Sequence, residues 1–246
     1  MMPEAKAKAL VIIPTYNESQ SLSGVVERIR RALPDAEILV VDDASPDGTG
    51  DLADRLANED SRVHVLHRAK KAGLGLAYVT GFDWGLAQDF DTLVELDADG
   101  SHQPEQLPQL LAPLDLGAAM AIGTRWIPGG SVRNWPWFRR AISRTGTWFA
   151  RVSLRSELRD ITSGMRAFRA STLKMIHYET ASAHGYGFQV ELAWRAERAG
   201  LAIAQVPIDF VERAEGKSKM SIGIVLEALW LVTKWGCQAR FKRRSG

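Results

Sequence analysis

Residues 9–18 read ALVIIPTYNE, an apolar run of strand length that ends in a polar turn. The pattern recurs through the first half of the chain, where short β-branched runs alternate with stretches whose apolar residues have helical spacing. Strands that alternate with helices indicate a mostly parallel sheet with helices on both faces, so we predict an α/β fold. The strands predicted in this way are 9–13, 38–41, 63–66, 92–96 and 118–122.

Length and composition narrow the class of protein. A chain of 246 residues can bury a substantial core, and 46% hydrophobic with 24% charged residues excludes disorder as the main state. The single cysteine, Cys237, excludes an internal disulfide framework and a cysteine-based zinc site. No apolar run of signal-peptide length precedes Pro14, so we expect a cytoplasmic protein.

The formal charge of +2 conceals an uneven distribution of charged residues. Residues 1–124 contain 20 acidic and 10 basic side chains, whereas residues 125–169 contain 10 arginines and two acidic residues. Residues 217–246 contain seven basic residues and one acidic residue. An acidic front half followed by basic segments predicts that the two parts of the chain contact different partners.

Polar residues follow four of the predicted strands at the point where each strand ends. In parallel sheets ligands bind beyond the carboxyl ends of the strands, so these residues are predicted to converge on one edge of the sheet. They are residues 14–18, 42–43, 68 and 97–99.

Two carboxylates, Asp97 and Asp99, come directly after the fourth predicted strand. A cation between them would relieve their repulsion, and oxygen ligands with open positions suit Mg²⁺ or Mn²⁺ bound together with a substrate diphosphate. Ser101 and Gln103 could complete the metal shell, directly or through water. The alternative is a solvated turn or a helix cap before Pro104.

A second acidic pair, Asp42 and Asp43, ends the second predicted strand. Nucleoside hydroxyls or base N–H groups are natural partners for two aspartates at a strand end. The residues that follow, 45–49, read SPDGT and could simply cap the next helix. After the first strand, Tyr16 offers a stacking face and Glu18 an acceptor, unless this segment is only a strand-to-helix turn.

Eight motifs in order carry a resemblance to a known family. They are PTYNE at 14–18, VDDASPDGT at 41–49, GLG at 73–75, DADGSH at 97–102, GTR at 123–125, TSGMR at 162–166, GYGFQ at 185–189 and RAEGKSK at 213–219. Together they resemble the dolichol-phosphate (polyprenol-phosphate) mannose synthases of the inverting GT-A glycosyltransferases, family 2. The resemblance covers residues 9 to about 220 and implies a Rossmann-like GT-A sheet with helices on both faces, to which the apolar pattern of the residues beyond 220 adds a C-terminal amphipathic helix. It also implies transfer of mannose from GDP-mannose to a polyprenyl phosphate with inversion.

The resemblance implies a donor site and a metal site, residue by residue. The residues that would hold the nucleoside are Pro14, Tyr16, Glu18, Val41 and Asp43. The residues that would hold the diphosphate and its Mg²⁺ or Mn²⁺ are Asp97, Ala98 and Asp99. Ser101 stands where some family members have a glutamine, which leaves the third protein ligand of the metal open.

The resemblance also implies an acceptor site. The residues that would close on the donor phosphates and the acceptor are Arg125, Arg213 and Lys219. Arg139 and Ser143, four residues apart on one predicted helix, would grip the lipid phosphate. Gln189, near the start of a predicted helix, either faces the sugar or has a capping role.

The charge of such an acceptor decides which catalytic groups to expect. A polyprenyl phosphate is already anionic near neutral pH, since its second pKa is about 6, and it needs no general base. Asp97, Asp99 and Arg125 are therefore the predicted catalytic residues, through positioning and charge stabilisation. His102 is predicted to be structural, because the five histidines show no arrangement suited to base catalysis.

A predicted helix from Phe138 combines an apolar stripe with arginines on the opposite side and nearby tryptophans. This composition is typical of a helix that lies on anionic lipid. The alternative is an ordinary amphipathic helix whose apolar face packs on the sheet. The arginines of the basic stripe are Arg140, Arg144, Arg151 and Arg155.

We predict two parts of the chain, a GT-A catalytic domain at residues 1–219 and a C-terminal amphipathic, basic segment at residues 220–246. Residues 220–235 are mostly apolar but too short and too charged to span a bilayer, so they are expected in the interface or against a partner. The basic end of the chain suits an anionic leaflet, which predicts a peripheral protein on the cytoplasmic face. An integral-membrane partner could supply the anchor. The alternative is a core helix with a frayed basic tail.

Three other functions fit parts of this pattern. The same lipid phosphate could receive a sugar from another donor, such as UDP-glucose or a UDP-amino sugar. Arginines interleaved with tryptophans could bind nucleic acid, but the acidic sheet edge argues against it, and no nucleic-acid partner is predicted. An inactive scaffold subunit is the third alternative, although no motif position is visibly broken.

Overall fold

A computed structural model describes residues 7–181, 185–212 and 229–238 of the chain. The strands are β1 (Ala9–Thr15), β2 (Glu37–Asp42), β3 (Val63–His67), β4 (Thr92–Glu95), β5 (Met120–Thr124), β6 (Ser131–Arg133), β7 (Arg166–Arg169), β8 (Ile203–Pro207) and β9 (Asp209–Val211). The helices are α1 (Leu22–Ala32), α2 (Thr49–Glu59), α3 (Leu74–Ala87), α4 (Leu107–Asp115), α5 (Trp137–Leu154), α6 (Ala170–Met175), α7 (Tyr186–Arg198) and α8 at 229–238.

The central sheet has seven strands in the order β3-β2-β1-β4-β7-β5-β8. β1 pairs in parallel with β2 and β4, β2 with β3, and β5 with β8. The strand β7 runs antiparallel to both of its neighbours, β4 and β5. A mostly parallel α/β sheet is thereby confirmed, and β7 and β8 are the two strands of this sheet that the sequence pattern does not predict.

The core lies on both faces of this sheet. Leu10 to Ile13 of β1 are all fully buried, as expected for a strand covered on both sides. Leu10 and Ile12 pack in the same core cluster as residues of α3, α5, α7 and α8, whereas Val11 and Ile13 pack with α1, α2 and α4. The alternation of side chains along one strand therefore assigns the helices to two layers, as predicted.

Helix α3 lies unusually close to the sheet because two of its positions are glycine. A Cβ at Gly81 would come within 2.5 Å of Ile12 Cγ2, and one at Gly85 within 2.8 Å of both Leu10 and Leu93. The helix begins after Gly73, whose φ of +98° favours glycine. This close packing brings Tyr78 of α3 to the carboxyl end of β4.

The described C-terminal helix, α8, packs on the main domain. Its residues Leu231, Val232 and Trp235 are buried, and the Trp235 ring stacks on Trp194 of α7 with centroids 5.9 Å apart. None of the described helices is long and apolar enough to cross a membrane. The predicted domain boundary between residues 219 and 220 lies outside the described residues.

Candidate active site

A cavity of about 210 Å³ opens at the carboxyl end of β4, and both polar and apolar side chains line it. The polar side chains that line it include Asp97, Asp99, Ser101, His102, Arg125 and Arg139. The apolar side chains that line it include Ile142, Phe149, Val190, Leu229 and Val232. One space therefore offers groups for charged atoms and a surface for hydrocarbon.

The two carboxylates predicted to bind a metal both line this cavity. Asp99 Oδ1 accepts a hydrogen bond from the Ser101 backbone N–H at 2.9 Å. Asp97 lies 3.5 Å from the Tyr78 hydroxyl and 3.5 Å from His102 Nδ1. Both aspartates thus have defined neighbours in the wall of the cavity.

His102 is buried beside these carboxylates. Burial lowers the pKa of His102 to about 4, against the opposing effect of Asp99, so its imidazole is neutral near pH 7. The ring packs edge-on against Phe210 with centroids 5.1 Å apart. These contacts agree with the structural role that the sequence predicts for His102.

The donor atoms present fit a divalent cation held by an open site. Among the described residues, no group of three or more histidine, cysteine, aspartate or glutamate side chains converges. The protein would therefore offer Asp97 and Asp99, and leave positions for diphosphate oxygens and water, as Mg²⁺ and Mn²⁺ sites often do. Ser101 lines the same cavity, but the Gln103 amide is engaged outside it. Gln103 Oε1 accepts from Arg28 at 2.7 Å, and Nε2 donates to Gly100 O at 3.3 Å.

Arg125 follows β5 and is fixed by a buried acid that sequence analysis missed. Its Nε and Nη2 donate to the two carboxylate oxygens of Asp160, each at 2.7 Å, and its backbone N–H donates to Asp160 Oδ2 at 3.0 Å. The guanidinium also lies 5.4 to 5.7 Å from the ring centroids of Trp126, Trp135 and Phe210. Arg125 therefore presents a positive charge in one fixed orientation at the cavity wall.

The residues predicted to hold a nucleoside lie at the adjoining ends of β1 and β2, outside the lining of this cavity. Asp43 is buried and accepts from Arg68 Nη1 at 2.7 Å and from the Ala72 backbone N–H at 3.1 Å. The Tyr16 ring lies 4.0 Å from Lys71 Nζ. Glu18 accepts from the Ser21 hydroxyl at 3.0 Å. Pro14 and Val41 face each other in the β1–β2 register.

The acidic pair at the end of β2 divides into two roles. Asp42 accepts hydrogen bonds from the Thr15 hydroxyl at 2.8 Å and from the Ser45 backbone N–H at 3.0 Å, which ties two turns together. Asp43 faces Arg68 instead. Asp42 thus has a structural role. Asp43 makes its contacts with Arg68 and with the Ala72 backbone instead.

The two residues predicted to grip a lipid phosphate, Arg139 and Ser143, lie one turn apart on α5 and both line the cavity. Arg139 pairs with Glu212 and lies 4.6 Å from the centre of the Trp135 ring. The structure therefore brings Arg139, Ser143, Arg125 and the two metal-site aspartates to one space. Arg213 and Lys219 lie outside the described residues.

A fully buried arginine, Arg166, lies beside a fully buried glutamate, Glu95, behind the lining of the cavity, and both were missed from the sequence. Arg166 of β7 donates to the backbone carbonyls of Ser163 at 2.7 Å, Ile161 at 2.6 Å, and Gln189. Its Nε lies 3.9 Å from Glu95 Oε2, on the register partner in β4. Burial raises the pKa of Glu95 to about 8, although Arg166 opposes the shift. A glutamate inside the apolar run TLVEL is the signal that could have revealed this pair.

Comparison with known proteins places the chain in a family. Residues 10–176 match the family model described as glycosyl transferase family 2. The chain is 51% identical to the polyprenol monophosphomannose synthase of Mycolicibacterium smegmatis, over 97% of this chain and 91% of that protein. It is 54% identical to the undecaprenyl-phosphate mannosyltransferase of Micrococcus luteus, over 96% of each chain.

A solved structure shows the same fold at low identity. Glucosyl-3-phosphoglycerate synthase of Mycobacterium tuberculosis, in complex with Mn²⁺, UDP-glucose and phosphoglyceric acid, has a TM-score of 0.70 and is 23% identical. The match covers 95% of this chain and 81% of that chain. This similarity confirms the predicted GT-A fold. Given the family model that spans most of the sheet, and relatives more than half identical along nearly the whole chain, this protein belongs to glycosyl transferase family 2.

Proposed function

We propose that this protein transfers mannose from GDP-mannose to a polyprenyl phosphate, with inversion at the anomeric carbon. The observation that carries the proposal is the cavity itself, which joins two carboxylates and two arginines to an apolar surface. A lipid phosphate has the same two parts, a charged head and a hydrocarbon chain. The names of the two relatives that are more than half identical support the same acceptor class and the same sugar.

The donor would lie across the acidic edge of the sheet. The nucleoside would be held at the ends of β1 and β2 by Pro14, Tyr16, Glu18, Val41 and Asp43. The diphosphate would be held by Asp97, Ala98 and Asp99. Asp97 and Asp99 would also hold Mg²⁺ or Mn²⁺, which when bound supplies positive charge that stabilises the leaving diphosphate. A structural neighbour of the same fold that contains Mn²⁺ with a nucleotide-sugar supports this choice of metal.

The acceptor phosphate would bind between Arg139, Ser143 and Arg125. One of its oxygens forms the new bond to the anomeric carbon as the bond from that carbon to the diphosphate breaks, and GDP leaves with the electron pair. No proton has to be removed from the nucleophile, because the phosphate is already anionic. The fixed arginines hold two anionic reactants together, which supplies positioning and charge stabilisation without a general base. Arg213 and Lys219, outside the described residues, would close on the same phosphates.

The hydrocarbon chain of the acceptor would leave along the apolar side of the cavity. Ile142 and Phe149 of α5 and Val232 of α8 line that side. Ile142 is also half exposed, so the apolar surface continues from the cavity to the outside of the protein. The first isoprene units would therefore pass between α5 and α8 on the way to the bilayer.

The outer face of α5 supports a place on the membrane surface. Trp137 and Trp148 are 81% and 62% exposed, and Phe138 and Val152 are more than half exposed. The residues of α5 that face the core are Thr147, Ala150 and Leu154. Most of the predicted apolar stripe of α5, including Phe138, Ile142 and Val152, is thus exposed, whereas its member Phe149 packs against the core; arginines that suit anionic lipid lie beside the exposed part. We propose a peripheral site on the cytoplasmic leaflet, where an integral-membrane partner could bind the same face.

A panel of donors tests this function. Purified protein is incubated with undecaprenyl phosphate, Mg²⁺ or Mn²⁺, and in turn GDP-mannose, GDP-glucose, UDP-glucose and UDP-N-acetylglucosamine, and the lipid fraction is analysed by mass spectrometry. We expect a mannolipid from GDP-mannose and little product from the other donors. If a lipid product forms only with a UDP-sugar, the proposed donor is wrong and the proposed acceptor stands. Salt-sensitive binding to RNA or DNA without any transfer would favour the nucleic-acid alternative, and the absence of both would favour a scaffold.

A further inference from the structure

We propose that Gln189 binds a hydroxyl of the donor sugar and so contributes to the choice of sugar. The inference rests on the proposed function in one respect, that the donor is a nucleotide-sugar. Gln189 is 1% exposed and lines the cavity together with Asp97 and Asp99. Within the described ranges, neither Oε1 nor Nε2 of its amide makes a hydrogen bond.

An unpaired buried amide needs an explanation. Nearly all buried polar groups in proteins are hydrogen-bonded, and leaving one unpaired costs about 1 to 3 kcal/mol. A side chain that lines a cavity and has this unused capacity is suited to a ligand, because the ligand supplies the missing bonds. A sugar hydroxyl is both a donor and an acceptor, and a primary amide offers both kinds of atom.

The backbone of Gln189 is held by Arg166, which is not part of the cavity lining. Arg166 donates to the Gln189 carbonyl and also to those of Ser163 and Ile161, so it ties the first turn of α7 to the loop before β7. Glu95, also fully buried, lies 3.9 Å from the Arg166 Nε. The amide is thus held on a rigid backbone, which specific recognition requires.

The neighbours of Gln189 indicate which part of the donor it meets. The charged groups that line the cavity with Gln189 include Asp97, Asp99 and Arg125, which suit a metal and phosphates. A sugar is joined directly to the diphosphate, so it must lie next to these groups, and its hydroxyls are neutral. Gln189 offers a neutral amide there, whereas the Thr162 hydroxyl is already bonded to Asp160 and Arg125.

The competing role for this amide is structural. Both carboxylate oxygens of Glu95 are also buried, and neither they nor the Gln189 amide has a hydrogen bond of full length among the described residues. The Gln189 amide is nevertheless close enough to the Glu95 carboxyl to favour its charged form, which opposes the rise in the Glu95 pKa. A rotation of the Gln189 side chain could satisfy Glu95 and leave the sugar without this contact. The two roles predict different effects of removing the amide.

The test compares two ligands that differ only in the sugar. Binding of GDP and of GDP-mannose to the full chain, with Mn²⁺ present, is measured by calorimetry for the wild type, Gln189→Leu and Gln189→Asn. We expect both variants to weaken GDP-mannose about tenfold, the loss of roughly one or two hydrogen bonds, and to change GDP less than twofold. Gln205→Leu is the matched control, since its amide bonds to the Arg159 backbone away from the cavity.

Deoxy donors locate the contact. The series consists of GDP-mannose analogues that each lack one hydroxyl of the sugar. The analogue that lacks the hydroxyl bound by Gln189 should bind the wild type and Gln189→Leu with equal affinity, because neither complex can form that hydrogen bond. Equal weakening of GDP and GDP-mannose together with a lower melting temperature would overturn the proposal in favour of the structural role. If the wild type binds a UDP-sugar instead, the proposed donor fails, and the same comparison with UDP and that sugar still tests Gln189.

Discussion

The acidic edge of the sheet contributes residues to the cavity, the outer face of α5 lies on the other side of a helix that also lines it, and the two regions are built differently. At the edge, charged side chains have fixed partners: Asp43 with Arg68, and Arg125 with Asp160. On the outer face of α5, Trp137 and other aromatic and apolar side chains are largely exposed. The difference teaches that groups which must meet developing charge are fixed in advance, whereas groups that meet a fluid lipid surface need only the right composition.

Removal of a metal-site carboxylate should have the largest effect. Asp97→Ala or Asp99→Ala is expected to lower kcat at least a thousandfold, because the charge of the leaving diphosphate loses its stabilisation. The melting temperature should change little, since neither carboxylate is part of the apolar core. Asp115→Ala, on the exposed side of α4, is the control. Normal turnover by Asp99→Ala would contradict the assignment of the metal site.

Removal of the partner of Arg125 tests whether the edge is as rigid as its contacts indicate. Asp160→Asn leaves a buried guanidinium without its counter-charge and is expected to lower the free energy of unfolding by about 3 kcal/mol, measured by urea denaturation. The exposed pair between Glu27 and Arg31 provides the comparison. Glu27→Gln should cost less than about 1 kcal/mol. If the two variants lose the same free energy of unfolding, the Arg125–Asp160 pair is no more fixed than a solvated surface pair.

Substitution of Arg139 tests where the charged wall of the cavity meets the membrane-facing helix, because Arg139 belongs to α5 and its side chain lines the cavity. Arg139→Ala should raise the KM for polyprenyl phosphate about tenfold or more and change the KM for GDP-mannose less than twofold. Steady-state kinetics with a water-soluble short-chain acceptor separates this effect from membrane binding, and Arg55→Ala on α2 serves as the control. An effect confined to the KM for GDP-mannose would move Arg139 to the donor site.

The outer face of α5 should give the smallest effect on chemistry and a clear effect on location. The double variant Trp137→Ala with Trp148→Ala is expected to lower partition onto anionic vesicles about tenfold, measured by flotation, because two aromatic side chains no longer enter the interface. Its kcat with a short water-soluble acceptor should stay within twofold of wild type. Leu116→Ala removes an equally exposed apolar side chain from another surface and should leave flotation unchanged. Unaltered flotation of the double variant would mean that this face does not meet lipid.

The local parts of this structure could be predicted from the sequence, and the long-range parts could not. The strand β1 and the polar turn after it could be predicted because the pattern of apolar and polar residues that indicates them lies within ten consecutive residues. Asp160 was not, because its role depends on Arg125, 35 residues away, which only the fold brings close. Glu95 and Arg166 meet across two strands, one of which, β7, has an apolar pattern too short to predict.

The orientation of α5 shows a second limit. The sequence predicts both its apolar stripe and its basic stripe, but not which side packs on the sheet. The side that packs carries small residues such as Thr147 and Ala150, which allow close approach and have little apolar signal. Gln103 is a related case, because its spacing from Asp99 suits a metal ligand, whereas its partner Arg28 on α1 is visible only in the fold.

The configuration of the lipid product tests the central claim most directly. Purified protein, undecaprenyl phosphate and GDP-mannose are incubated with Mg²⁺ or Mn²⁺, and the anomeric configuration of the mannosyl phosphate is read by NMR. Direct displacement by the lipid phosphate at the cavity predicts a mannolipid with inverted configuration, whose formation is lost in Asp97→Ala. A product of retained configuration, or undiminished formation of the mannolipid by that variant, would contradict the account.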